Sequence, residues 1–317
     1  MLAYIFRRLV YNLPVYLGIL LLVMAALRVK DPVYGFLGKN ASPQQYETFQ
    51  RKAGLDQPLF WQYVHFVGDV VMLDFTTESW DQPGMQVGDM IRSAIGPSLA
   101  LTIPALVLTS LLSIAVGILS AFWRGQFIDR AMVILAVLGM SVSFLVYIIL
   151  GQYFGAFMIN RQLGFELFAI EGYRSAFSQW PRYFLLPVLI SVIVAMGYDT
   201  RFYRAVMVEE TGRDYILTAR AKGATKGKIM FVHMLKNALI PIITRIMITL
   251  PFLITGSILL EVYFGIPGMG RALILAINHN DFPVIQAFTA IFAALFIVTN
   301  ILTDVLYAWV DPRIRLQ

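Results

Sequence analysis

The sequence predicts an all-α polytopic membrane protein with six transmembrane helices, and three features predict it. Of 317 residues, 58% are hydrophobic and 14% charged, against about 25% charged in soluble domains. Six stretches contain no Asp, Glu, Lys or Arg: Leu9–Leu27, Ser93–Trp123, Ala131–Asn160, Tyr183–Tyr198, Ile246–Leu260 and Phe282–Thr303. The Lys and Arg residues between them are unevenly divided, and that division sets an orientation.

A helix crossing the hydrocarbon core needs roughly 20 mostly apolar residues. Four stretches have that length, and the fourth and fifth reach it if Arg201 and Arg245 snorkel towards the interface. The first apolar run exceeds the roughly 7–15 residues of a signal-peptide core and is followed by no small-residue cleavage motif, so it is expected to stay as an anchor. With the N-terminus inside, the internal segments carry fourteen Lys/Arg, from Arg7 and Arg8 to Arg313 and Arg315, and the short external loops carry four, Arg161, Arg174, Arg182 and Arg271. Both termini are therefore expected to be cytoplasmic. The chain then divides into 1–27 (N-terminus and first span), 28–97 (an extracytoplasmic loop region) and 98–317 (a core of spans two to six, with a cytoplasmic loop at 201–236).

Within 28–97, "PLFWQYVHFVGDVVMLD" places Phe60, Val64, Val67 and Val71 on one helical stripe. Pro83–Gly84 marks a turn, and "VGDMIRSAIGPSLALT" reads as an amphipathic entry into the second span.

The sequence excludes much chemistry. With no cysteine and three widely spaced histidines, His65, His233 and His279, it supports neither a disulfide framework nor a metal site. "YILTARAKGATKGKI" (215–229) half-resembles a phosphate-binding loop. Counting back from Gly227–Lys228, however, Lys222 occupies the first glycine position, and Ile229 replaces the hydroxyl that would hold magnesium. No cofactor is expected. The net charge of +6 fits basic loops of a membrane protein, and no nucleic-acid partner is expected.

The stretch "RFYRAVMVEETGRDYILTARAKGATKGKIMFVHMLKNALIPIIT" (201–244) resembles the signature of the dipeptide/oligopeptide/nickel branch of ABC-transporter permeases. The matching positions are Asp214, Tyr215, Thr218, Ala219, Arg220, Ala221, Lys222, Gly223, Asn237, Ala238, Leu239 and Pro241. "LLEVYFGIPGMGRALILAINHNDFPVIQA" (259–287) and a terminal pattern of Asn300, Asp304, Tyr307, Asp311, Pro312, Arg313 and Arg315 extend the likeness along the chain. The chain departs from the family at Asp74–Glu78, where a glycine is usual, and at Leu217–Thr218–Ala219, where the generic importer loop has Glu-Ala-Ala.

The resemblance implies a type I ABC importer permease, the subunit of a pair with the larger external loop. It implies a second homologous permease, two ATP-binding-cassette ATPase subunits and an extracytoplasmic solute-binding protein as partners, in a bacterial or archaeal inner membrane, with no catalysis by this chain. It also makes 215–229 the coupling helix on an ATPase, with Asp214, Tyr215, Thr218, Ala219, Arg220, Ala221, Lys222, Gly223 and Ala224 as its site residues. The small residues would allow close approach of backbones, and the cations would meet acidic groups or helix C-termini. The alternative for this stretch is a basic loop on anionic lipid headgroups, at ~1 kcal/mol per residue.

Other features admit two readings each. Pro14, Pro104, Pro187, Pro241 and Pro251 are hinges or the ordinary prolines of membrane helices. The Phe60/Trp61/Tyr63/Phe66 group docks a binding protein or forms local core. "GIPGMG" (265–270) reaches into the solute path or is a packed turn. Asn300 and Asp304 bond between helices or serve the path. For the whole chain, the alternative is an ion-gradient-driven carrier or channel, which calls for ionisable groups at the membrane midplane.

The orientation has a direct test, since no native cysteine needs removal. Single cysteines replacing Gln44 or Gln179 are expected to react with an impermeant thiol reagent in intact cells. Those replacing Gln126 or Thr225 should react only after permeabilisation, and labelling of position 225 from outside would reverse the topology.

Overall fold

The computed structural model describes residues 2–38 and 40–310, with the side chains of 2–3, 251–256 and 308–310 outside the description. Asp311, Pro312, Arg313, Arg315 and the Pro251 side chain therefore lie outside the described residues.

Thirteen helices are present among the described residues. They are α1 (Leu2–Leu27), α2 (Pro32–Leu37), α3 (Pro43–Lys52), α4 (Leu59–Met72), α5 (Val87–Phe122), α6 (Phe127–Ser141), α7 (Phe144–Leu163), α8 (Trp180–Glu210), α9 (Asp214–Ala221), α10 (226–256), α11 (Ile258–Tyr263), α12 (Met269–His279) and α13 (Phe282–Val310). Six helical segments are long and apolar enough to cross a membrane: Tyr4–Leu27, Val87–Phe122, Phe144–Leu163, Phe177–Glu210, Lys226–Leu250 and Phe282–Tyr307. The all-α fold and the number of spans match the expectation. Pro14 and Pro187 sit inside helices that run on through them.

Two spans differ from the charge-free runs. The run Ala131–Asn160 is not one helix: α6 ends at Ser141, Val142 (φ −94°, ψ 137°) and Ser143 (φ −59°, ψ 140°) are extended, and α7 begins at Phe144. The helix of the fifth span begins some twenty residues before Ile246 and runs through it, α10 covering 226–256. Arg245 is a mid-helix residue whose Nε donates to Asp199 Oδ1 at 2.8 Å, so it is paired with a neighbouring helix instead of snorkelling.

The chain forms two compact units. The first comprises Met1–Ser98 and Pro267–Ile301. In its core Val87, Ile91 and Ala94 pack with Val284, Ile285, Ala287 and Phe288. This spacing is the amphipathic entry expected for the second span. The helix α4 forms as expected, but its buried face is different. Phe60 is 67% and Val71 70% exposed, while Tyr63, Phe66, Val67 and Val70 pack with Leu20 and Ala290. Tyr63 Oη also donates to the Leu17 carbonyl at 2.8 Å. The aromatic group of the sequence is thus divided, with Tyr63 and Phe66 inward and Phe60 and Trp61 outward. The Pro83–Gly84 turn is present, with Gly84 at φ +85° and Met85 N–H donating to the Gln82 carbonyl at 3.0 Å.

The second unit comprises Leu99–Ile266 and Leu302–Gln317. Here α6 and α7 run along α8, and glycines permit the contact. A Cβ on Gly197 would meet the Ala136 carbonyl at 2.8 Å, and one on Gly155 would meet Leu186 Cδ1 at 2.9 Å. The "GIP" half of the 265–270 segment is a packed turn: Ile266 is fully buried, and a Cβ on Gly265 would meet Glu171 Cγ at 2.7 Å. In the first unit Met269 N–H donates to Ser98 Oγ at 2.8 Å, so "GMG" is likewise packed.

Candidate functional site

The predicted site residues cluster at one end of the second unit, where α8 leaves its apolar stretch, turns at 211–213 and gives α9. Asp214 in the first turn and Arg220 in the last suit the helix dipole. Three residues apart, Ile216 and Ala219 share a face, are 0% and 7% exposed, and pack with Ile118, Tyr203, Met207, Met230 and Met234. The opposite face carries Asp214, Leu217, Thr218, Arg220 and Ala221, all exposed.

The structure corrects the single helix expected over 215–229. Helix α9 stops at Ala221 and is closed by a Schellman motif. Gly223 N–H donates to the Arg220 carbonyl at 2.9 Å, and Ala224 N–H to the Ala219 carbonyl at 3.1 Å. Gly223 takes φ +76°, where an L side chain is strained, yet nothing lies within 4 Å of a Cβ built on it. Within this chain the glycine thus answers a conformational demand, since no neighbour crowds it. Thr225 then caps α10 by accepting from Lys228 N–H at 3.4 Å. The ends of the segment 201–236 are helical as well, belonging to α8 and α10.

The nine predicted residues have different roles here. Thr218 and Arg220 are exposed with Asp214 and Ala221, and so are Lys222 and Gly223. Ala219 is not available for a partner's close approach, because it is spent on the chain's own core, and Ala224 packs against the same core. Tyr215 is half-buried, and its hydroxyl donates to the Glu210 carboxylate. Burial, then that bond, push its pKa up to about 12, so the phenol stays protonated and keeps donating at neutral pH. Leu217 was missed: it is 61% exposed, and the signal was an apolar residue three positions from both Asp214 and Arg220, on the polar side of a short helix.

The helix ends near this cluster also hold an ion pair that the sequence did not reveal. The Asp129 carboxylate, 3% exposed, accepts from Arg204 Nε at 2.6 Å and Nη2 at 2.8 Å. It also accepts from Ser120 Oγ at 2.5 Å and Gly125 N–H at 2.9 Å. One carboxylate thus joins the end of α5, the α5–α6 turn, the start of α6 and the far end of α8. The Arg204 guanidinium foremost, then the Ser120 and Gly125 bonds, hold this carboxyl well below the usual carboxylate range despite its burial. Lys226 closes the same end, its Nζ donating to the Phe122 carbonyl at 2.5 Å and lying 4.2 Å from the Phe122 ring centre. Among the described residues no group of three or more His, Cys, Asp and Glu could hold a metal.

Residues 113–316 match the sequence model described as "Binding-protein-dependent transport system inner membrane component". The chain belongs to that family. Residues 1–89 match the corresponding N-terminal model. Among relatives, a probable peptide ABC transporter permease of Sinorhizobium fredii is 32% identical, over 99% of each chain. Glutathione transport system permeases of Shigella boydii and Escherichia coli K12 are 34% identical, over 99% of each chain. An inward-facing structure of the MetNI methionine ABC transporter shares the fold at a TM-score of 0.54 and 18% identity, over 70% of this chain and 96% of that one. This protein is a permease subunit of a binding-protein-dependent ABC importer and a multi-pass inner-membrane protein.

Breaking the Asp129 pair tests its structural weight. Removing one partner of a buried pair costs about 3–5 kcal/mol. Arg204 keeps 27% of its exposure, so Asp129→Ala is expected to cost less, about 1–3 kcal/mol. The double variant Asp129→Ala/Arg204→Ala should recover part of that loss. Because the folded pKa is lowered, the pair's contribution is full above the unfolded value of about 4. It fades only as pH falls through the folded value, so the effect should be the same at pH 6 and pH 8. Thermal unfolding in detergent measures both; an additive double variant would deny the coupling.

Proposed function

We propose that α9 is the element through which an ATPase subunit drives this permease, and that both termini and α9 face the cytoplasm while 28–97 faces outward. The complete importer contains a second homologous permease, two ATP-binding-cassette ATPase subunits and an extracytoplasmic solute-binding protein. The solutes are peptides or similar small molecules, a class supported by the peptide and glutathione permeases among the relatives. The chain itself catalyses nothing.

One observation carries the reading of α9. This short helix lies outside the spans, is fixed by Ile216 and Ala219 on one face, and presents Leu217, Arg220 and Lys222 to the exterior. Leu217 provides an apolar anchor for a groove, and the cations provide charge-assisted donors for its rim. A lipid-surface loop would need no fixed face and no cap. Fixed to the helices on which it packs, α9 passes a displacement into them.

Two variants test this in the assembled importer, with uptake and ATPase retention measured together at matched membrane levels. Gly223→Leu places a branched side chain at φ +76°, a strain of roughly 1–2 kcal/mol, and should lose transport. Gly223→Asn, which tolerates that conformation, should keep most of it. Leu217→Asp removes an anchor worth about 1.5–3 kcal/mol and should weaken ATPase retention roughly 10–100-fold without affecting the spans. Normal uptake and retention in both Gly223→Leu and Leu217→Asp would exclude docking through α9.

A further inference from the structure

The turn between α5 and α6 carries charge that the chain does not balance. Residues 122–138 contain one acid, Asp129, and Arg204 already neutralises it from α8. Arg124 and Arg130 are exposed, and among the described residues neither side chain has a hydrogen bond or an ion pair. The turn keeps them together. Gln126 N–H donates to the Trp123 carbonyl at 2.9 Å and Arg130 N–H to the Gln126 carbonyl at 3.1 Å, while Gly125 N–H is tied to the Asp129 carboxylate. Both guanidinium groups therefore leave one short, internally bonded corner. Lys228 adds a third exposed cation from the start of α10, which Lys226 joins to this corner through the Phe122 carbonyl.

The same corner exposes apolar surface. Phe127 is 84% exposed, and Ile134 and Leu138 are exposed as well. Seven and four residues apart, the three share one face of α6, and Arg130 stands at the foot of that face, one turn from Phe127. An apolar stripe thus begins at the arginines and runs up the helix. Its foot lies at the membrane boundary: Trp123 closes the charge-free run Ser93–Trp123, and Arg124 is the first ion after it. Tryptophan favours the level where hydrocarbon meets headgroups. An ATPase in the cytoplasm could meet the foot of the stripe but not its length. A second permease could cover the stripe, yet its own inner loops are basic by the same rule and would not neutralise the arginines.

We infer that this corner binds an anionic phospholipid of the inner leaflet, with its phosphate between Arg124 and Arg130 and an acyl chain along Phe127, Ile134 and Leu138. The guanidinium fork matches phosphate oxygens in a bidentate fashion, and the long apolar side chains replace lipid contacts along the stripe. Each cation held at an anionic surface is worth roughly fivefold in affinity, so two arginines give a preference above tenfold for an anionic over a zwitterionic headgroup. The inference rests on the cytoplasmic orientation proposed above and is independent of docking through α9.

The cysteine-free chain again makes the test direct. A bimane fluorophore on Gln126→Cys, the sole cysteine of the assembled importer, reads the lipid beside the turn. The importer is placed in phosphatidylcholine nanodiscs that contain a small fraction of doxyl-labelled phosphatidylglycerol or, in parallel, of doxyl-labelled phosphatidylcholine. Phosphatidylglycerol is expected to quench at about one-tenth of the mole fraction that phosphatidylcholine needs, and high salt should narrow that gap. In Arg124→Gln/Arg130→Gln the two lipids should quench alike. In Arg124→Lys/Arg130→Lys, which keeps the charge, phosphatidylglycerol should keep most of its advantage. If neither lipid quenches in an importer that retains its ATPases, the turn is covered by protein and the inference fails. Equal quenching by the two lipids around the unaltered arginines would overturn the anionic class. Either failure leaves the orientation standing so long as position 225 stays closed to impermeant reagent in intact cells. Labelling of position 225 from outside would instead overturn the orientation, and with it the leaflet assigned here.

Discussion

The Asp129 carboxylate is the constraint on which the ATPase-facing architecture proposed for this permease depends. A buried anion in such a place must be neutralised and its lone pairs filled. The chain does both with Arg204, Ser120 and the Gly125 amide. Those partners come from α5, the α5–α6 turn and α8, so satisfying one charge also fixes the angles at which three helices end. Gly125 at φ +81° lets the turn bring its amide to the carboxylate. Gly117 allows α5 to approach α8 so closely that a Cβ there would meet Tyr203 Cβ at 2.9 Å. The apolar cluster of Ile118, Tyr203, Met207, Ile216 and Met230 forms on that frame, and α9 is seated on the cluster.

This arrangement explains how a helix of eight residues stays ordered. Isolated, so short a helix is unstable in water. Here its order comes from two buried side chains, the Tyr215–Glu210 bond and a Schellman cap, none of which uses the outward face. Ile216 and Ala219 hold the helix, while Leu217, Arg220 and Lys222 stay exposed, free for the partner proposed above. Deeper in the second unit Asp199 and Arg245 neutralise each other between α8 and α10.

The sequence made some of this legible. Charge-free runs located six spans because hydrocarbon tolerates few ions, and the pattern around Gly223 marked both the family and the turn that needs a left-handed residue. Several features escaped, the Asp129 pair and Leu217 among them. Arg245 was taken as a span boundary because a run of uncharged residues ends at any ion; its neutralising partner is 46 positions away and invisible locally. The break at Val142–Ser143 has no proline or glycine to announce it. On α4, Phe60 and Val71 have the right period for a buried stripe, but α1 packs against Tyr63, Phe66 and Val70, and a helical period does not say which face a neighbour covers. Ala219 failed for a related reason: a small residue suits close packing against its own chain as well as against another.

The proposed role of α9 requires it to move as one body with the helix ends that Asp129 joins and on which the apolar cluster seats it. Spin labels on cysteines replacing Gln126 and Thr218 report this most directly, through the distance between them in the assembled importer, nucleotide-free and with ATP trapped. A narrow distribution, unchanged between the two states, is the expected result. A shift of several ångströms, or a broad distribution in either state, would show α9 moving independently of the spans and contradict the account.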